Sequence, residues 1–139
     1  MQKILSKDAV CFLVVHSSYT SSNVQVSLDS IYQERVAAGF SDVGYHFLID
    51  RRGALNKGVP ADREGSHTAR YADSAIGVIL AGGKSTRGQP ADNYTLEQKQ
   101  ELKRLINHLR VIYPAIKVLG AGQLLGGKSP FFNLKEYTL

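Results

Sequence analysis

From Gly65 to Gly83 the chain reads GSHTARYADSAIGVILAGG, and this stretch decides the fold around it. Its second half holds AIGVIL, Ala75–Leu80, six apolar residues without alternation, closed by Gly82-Gly83. A run of that length and type is what a strand covered on both faces gives. Its first half is a polar loop that sets His67 between Ser66 and Thr68. A loop His flanked by small residues suits a groove wall that hydrogen-bonds a ligand. It equally suits an ordinary exposed loop position.

Working outward, Ala9–Val15 (AVCFLVV) is a second continuous apolar run. It is far too short to span a bilayer. No small-residue cleavage site follows it, so it does not read as a signal segment. A central strand accounts for it. Ser27 can cap a helix to about Ala38, with Leu28, Ile31, Tyr32 and Val36 on one face and Gly39 ending it. Tyr45–Asp50 (YHFLID) reads as a strand, Arg51-Arg52-Gly53 as a turn and Ala54–Lys57 as its hairpin partner.

Downstream, Lys84–Tyr94 is a polar, Gly- and Pro-containing loop. Thr95 and Gln98 then form a capping box. Leu102, Leu105, Ile106, Leu109, Ile112 and Tyr113 recur at three- and four-residue steps, and Pro114 stops the helix. Ile116–Leu119 is a last short strand, and Gly120–Gly127 reads as a loop. Strands interleaved with helices give an α/β fold: a single domain over residues 1–139 with a mixed central sheet flanked by helices.

The 139 residues suffice for one core and not for two. A formal net charge of +5 suits an anionic partner such as a cell-wall polymer, a nucleic acid or an acidic protein, and selects none of them. The single cysteine, Cys11, excludes an intramolecular disulfide and a Cys-based metal cluster. Without a signal or membrane segment, the expected place is the cytoplasm, or a virion if the chain is phage-encoded.

Four stretches carry residues able to do chemistry. His16 ends the first strand, a good position for a site, where HSSYTSS opens a polar loop. Tyr45 and His46 are strand neighbours, so only one of them is expected to face a given site. Lys128, before Ser129-Pro130, is placed to stabilise a developing oxyanion or simply to be a surface lysine. His108 lies off the apolar stripe of the long helix and is expected to face water.

In order, VVHSS, DVGYHFLIDRRG, GSHTARYADSAIGVILAGG, the capped helix and KSPFFNL resemble the zinc N-acetylmuramoyl-L-alanine amidases. That family includes phage amidase lysozymes and peptidoglycan recognition proteins. The resemblance implies a mixed sheet flanked by helices and a groove for the peptide stem of peptidoglycan. It also implies one zinc held by two His and a Cys or Asp, with a position open for water. By resemblance, His16 matches the first zinc ligand, Tyr45 the catalytic Tyr, Lys128 the catalytic Lys, and His67, with Arg70 near it, the substrate groove.

The last two ligand positions depart from the pattern. The second His is replaced by Gly122, or by Gln123 if the alignment slips by one, and the last ligand by Ser129. Glycine offers no side chain, and a neutral Ser hydroxyl is a poor zinc ligand beside thiolate, imidazole or carboxylate. One residue is also missing between Lys128 and Ser129. The expectation is a zinc-free, catalytically inactive amidase homologue that keeps a binding or structural role. Its partner would be a peptidoglycan fragment or a protein, a phage structural protein or the phage RNA polymerase among them. The alternative is an active amidase that cleaves the bond between N-acetylmuramic acid and L-alanine. Restoring both ligands, Gly122→His with Ser129→Cys, is expected to recover zinc if the loop keeps the family geometry.

Overall fold

The computed structural model describes residues 2–137. Five strands form one mixed sheet: β1 (Phe12–Ser17), β2 (Phe47–Ile49), β3 (Leu55–Lys57), β4 (Ala75–Leu80) and β5 (Lys117–Gly120). Their order across the sheet is β3-β2-β4-β1-β5. β1 runs parallel to both β4 and β5, and β2 runs parallel to β4. Only the β2–β3 hairpin is antiparallel. The two apolar runs of the sequence are thus two of the three inner strands, and every residue of β4 is buried.

Three α-helices complete the fold: α1 (Leu28–Ala37), α2 (Leu96–Ile112) and α3 (Ala121–Leu125). Helix α2 covers one face of the sheet. Its Leu102, Leu105, Ile106 and Leu109 pack with Leu13, Val15, Ile76, Val78 and Leu80. Each such fully buried side chain contributes about 1.5–3 kcal/mol of transfer free energy. Thr95 and Gln98 make the anticipated capping box. Buried Gln98 also donates from Nε2 to Ile49 O (3.2 Å) and Ala81 O (2.7 Å), which fastens the helix start to the ends of β2 and β4. On the opposite face, Ile31 of α1 packs on Leu48 and Ile79, and Ala121 of α3 packs on Val14 and Ala75.

Beyond one-residue shifts of β3 and β5, the elements differ from the sequence reading in four places. β1 begins at Phe12, not Ala9, because Lys7–Ala9 is a 3-10 turn and the pairing with β4 starts at Phe12↔Ala75. β2 begins at Phe47, not Tyr45, so Tyr45 and His46 precede the regular strand. Helix α1 rests on the sheet through Ile31, while Tyr32 and Val36 are 41% and 44% exposed, so the expected apolar stripe is not a buried stripe. Gly120–Gly127 is not all loop: α3 fills its first half, with Gln123 Oε1 accepting from Gly120 N at 2.7 Å.

Candidate functional site

Strand alternation sends His16 to the face that α1 and α3 cover, the same face as Val14. There His16 Nε2 lies 2.9 Å from Thr68 Oγ1. His67 Nδ1 lies 2.7 Å from the same oxygen, and His67 Nε2 lies 3.3 Å from Ala75 O. A carbonyl can only accept, which fixes the chain of donors: His16 Nε2–H to Thr68, Thr68 O–H to His67 Nδ1, His67 Nε2–H to Ala75 O. His46 Nδ1 accepts from Gly77 N at 3.0 Å and its Nε2 donates to Arg63 O at 2.7 Å. All three imidazoles are neutral in this arrangement.

Electrostatics agrees with that assignment. Burial, helped by the nearby Arg35 cation, lowers His16 to a pKa of about 4. Burial, then the repulsion that protonation of His16 or His46 would bring, lowers His67 to about 3. Burial also lowers His46. Gly77, in the middle of AIGVIL, explains how His67 reaches the strand. A Cβ there would stand 2.4 Å from His67 Cγ, so only glycine lets the ring lie on the backbone.

Tyr45 closes the cluster from the side of the cleft. Its ring is edge-on to His16 (centroids 5.1 Å apart) and stacked on His67 (6.3 Å). Burial raises its pKa, an effect partly opposed by Arg35. Arg35 of α1 lies 5.5 Å from the Tyr45 ring centroid and 3.9 Å from that of Phe40. Its Nε donates to Asp42 O (3.3 Å) and its Nη2 to Ser66 O (3.0 Å). Beside Tyr45 opens a cleft of about 370 Å³, lined also by Ser18, Thr20, Gln25, Glu34 and Arg35.

Of the residues singled out from sequence, His16, Tyr45 and His67 come together. His46 lies behind His67, at 5.5 Å, fully buried, so that of the two neighbours only Tyr45 lines the cleft, as strand alternation leads one to expect. His67 is 6% exposed and sits beneath Tyr45, not on the cleft wall. Arg70 is exposed in the 3-10 turn Ala69–Tyr71 and does not line that cleft. Lys128 is exposed and lines a different cleft, with Phe131, Phe132, Gln89 and Pro90. Arg35 and Thr68 were not picked out from the sequence. Nothing in the local pattern around Arg35 signals its bond to Ser66, 31 residues away.

The donor set does not suit zinc. His16 offers one nitrogen: Nδ1 has no hydrogen-bond partner, and since no buried side-chain nitrogen or oxygen among the described residues lacks one, it reaches solvent. Both ring nitrogens of His46 and of His67 are engaged. At Gly122 a Cβ would meet Gly127 O at 2.5 Å, so the space of a second ligand is taken by backbone. Gly122 N donates to Ser129 O at 2.8 Å, which ties the two replaced positions directly together. Among the described residues no group of three His, Cys, Asp or Glu could hold a metal ion. The substitution Gly122→His therefore collides with the loop, against the expectation that the pair of restored ligands would suffice.

Comparison with known proteins gives the same lineage. The sequence model of the family described as N-acetylmuramoyl-L-alanine amidase matches residues 6–128. The endolysin of Enterobacteria phage K11 is 34% identical over 124 residues, 89% of this chain and 82% of that protein. Among solved structures, the N-acetylmuramoyl-L-alanine amidase LysC from Clostridium intestinale superposes with a TM-score of 0.79 at 22% identity, covering 98% of this chain and 88% of LysC. Human PGRP-IβC, solved in complex with glycosamyl muramyl pentapeptide, superposes with a TM-score of 0.71 at 21% identity over 88% of this chain and 77% of its own.

Proposed function

Because the chain belongs to the N-acetylmuramoyl-L-alanine amidase family, we propose that it is an inactive member that still binds a muramyl peptide. The observation that carries this reading is the state of the last two ligand positions. Gly122 has no side chain and no room for one, and Ser129 brings only a neutral hydroxyl. With one His left, the described residues offer no donor set for a hydrolytic metal, and no step of the family's reaction is assigned to the chain.

Binding is a separate matter. The cleft beside Tyr45 has an aromatic wall, three serines (Ser17, Ser18 and Ser30), Thr20 and the Arg35 guanidinium, a mixture suited to a short peptide with amide and carboxylate groups. A fold relative solved with a muramyl pentapeptide supports the choice of ligand class. Tyr45 and Arg35 would touch the ligand, His16 would present its free Nδ1 at the end of β1, and His67 would support Tyr45 from below.

Titration of the purified chain with a muramyl tripeptide, followed by heteronuclear NMR and by chromatography of the mixture, tests both halves. We expect shifts at Tyr45, Arg35 and Ser18, with the ligand recovered whole whether or not zinc is added. Free stem peptide, suppressed by a chelator, would instead establish an active amidase.

A further inference from the structure

Two non-glycine residues of the described chain have a left-handed backbone, Tyr19 at φ 52° and Phe131 at φ 71°. Such conformations are uncommon for bulky residues, persist only where the surroundings enforce them, and cluster at ligand sites. Here both residues are aromatic and they touch each other, ring centroids 5.6 Å apart. Tyr19 is pinned at both ends: its N–H donates to Ser17 Oγ (3.0 Å) and its hydroxyl to Gly88 O (3.0 Å). Gly83 makes the meeting possible, because a Cβ there would stand 2.0 Å from Ser17 Oγ and 3.1 Å from Phe131 Cδ2.

Phe131 of the pair lines a cleft of about 520 Å³ together with Phe132, Lys128, Gln89 and Pro90. Lys84 Nζ sits 5.3 Å from the Tyr19 ring centroid. Neither Lys84 nor Lys128 has an ion-pair partner among the described residues. Asp92, the carboxylate of the neighbouring loop, is taken by Lys99 at 2.7 Å. An exposed aromatic edge, an amide and two uncompensated cations form a surface for a sugar that carries carboxylates: ring faces stack on C–H groups, and ammonium groups meet the acid.

This surface lies across the Ser17–Thr20 loop from the cleft at Tyr45. Ser18 and Thr20 line that cleft, while Tyr19 between them turns to the opposite side. Hydrolysis of a muramoyl–alanine amide adds water across the C–N bond, leaving the carboxyl on the sugar and the amine on the peptide. We infer that the Tyr19–Phe131 surface, with Lys84 and Lys128, binds the de-peptided glycan strand, whose muramic acid units carry free lactyl carboxylates. The inference rests on the muramyl-peptide reading above in taking peptidoglycan as the polymer.

Calorimetric titration of the full chain with three probes tests it. These are an alternating N-acetylglucosamine–N-acetylmuramic acid tetrasaccharide with free carboxyls, the neutral N-acetylglucosamine tetrasaccharide, and the stem tripeptide alone. We expect the acidic tetrasaccharide to bind about fivefold tighter than the neutral one, the gain of two exposed ion pairs, and the difference to shrink with salt. Lys84→Gln with Lys128→Gln should erase that difference. Tyr19→Asn, which keeps a residue tolerant of the left-handed backbone but removes the ring, should abolish tetrasaccharide binding and leave stem-tripeptide affinity unchanged. Equal affinity for the two tetrasaccharides, or no binding of either, overturns the inference. Tripeptide binding in that case keeps the muramyl-peptide reading alive, and acidic tetrasaccharide binding without tripeptide binding supports the inference while removing the cleft at Tyr45 as the peptide site.

Discussion

At the ends of β1 and β5, two parallel strands in register, the chain does opposite things. Past β1 side chains fill the space: His16, Tyr45 and His67 pack ring on ring, and His16 and His67 share Thr68. Past β5 backbone fills the space: Gly122 is closed over by the backbone of Gly127, and the Ser129 carbonyl accepts from Gly122 N. The difference teaches that the two strand ends are held by different means. The residues past β1 are part of the core, so stability alone favours them. Those past β5 lie in a short helix and a Gly-rich turn, held by backbone contacts.

The largest test is at the β1 end. His46 is fully buried with both nitrogens bonded, so His46→Ala leaves a cavity, an unpaired Gly77 N–H and an unpaired Arg63 carbonyl. We expect a loss of about 3–5 kcal/mol in urea unfolding. An effect under about 1 kcal/mol would mean the imidazole network is not structural.

The pH dependence should be nearly as large. Burial holds His16 and His67 down to about 4 and about 3 in the fold, against about 6.5 for an unburied imidazole. Between those values the unfolded chain binds more protons than the folded one. Stability is therefore complete above about pH 6.5 and falls as pH drops toward about 4, by several kcal/mol in total. Denaturation midpoints measured at pH 7 and pH 4.5 check this. The same comparison on His16→Gln should show a smaller drop.

At the other end, Gly122→Ala forces a Cβ against Gly127 O and should cost about 1–3 kcal/mol. Ser129→Cys, at a half-buried turn position, should change stability by less than about 0.5 kcal/mol. Equal, small effects of the two would show that the turn yields easily and that a side chain at residue 122 fits after all. The smallest effect is expected at Lys128→Ala, an exposed residue whose removal should leave the unfolding midpoint unchanged within about 0.5 kcal/mol.

Legibility in the sequence followed the same division. Strand β4 was readable to the residue and helix α2 to within a residue of its end, because an unbroken apolar run and a capped 3.6-residue stripe are both local signals. The boundary of β1 was misjudged because apolar Ala9 and Val10 lie outside the ladder, in a turn and its exit. Helix α1 was found by its Ser27 cap, yet its buried face was overread, since the helix touches the sheet at only one turn. Helix α3 was invisible: a five-residue helix of small residues between glycines has no periodicity to detect. His16, Tyr45 and His67 could be named from ordered motifs, but not their hub. Thr68 joins strands and loops 52 residues apart, and such contacts leave no trace in any single window.

The most direct measurement is the zinc content of the purified, untagged protein, by elemental mass spectrometry after dialysis against trace zinc. We expect far less than one zinc per chain, with no gain in the Gly122→His, Ser129→Cys variant. One zinc per chain in the unaltered protein would mean that other side chains complete the site around His16 and that the enzyme is not inactive for want of ligands.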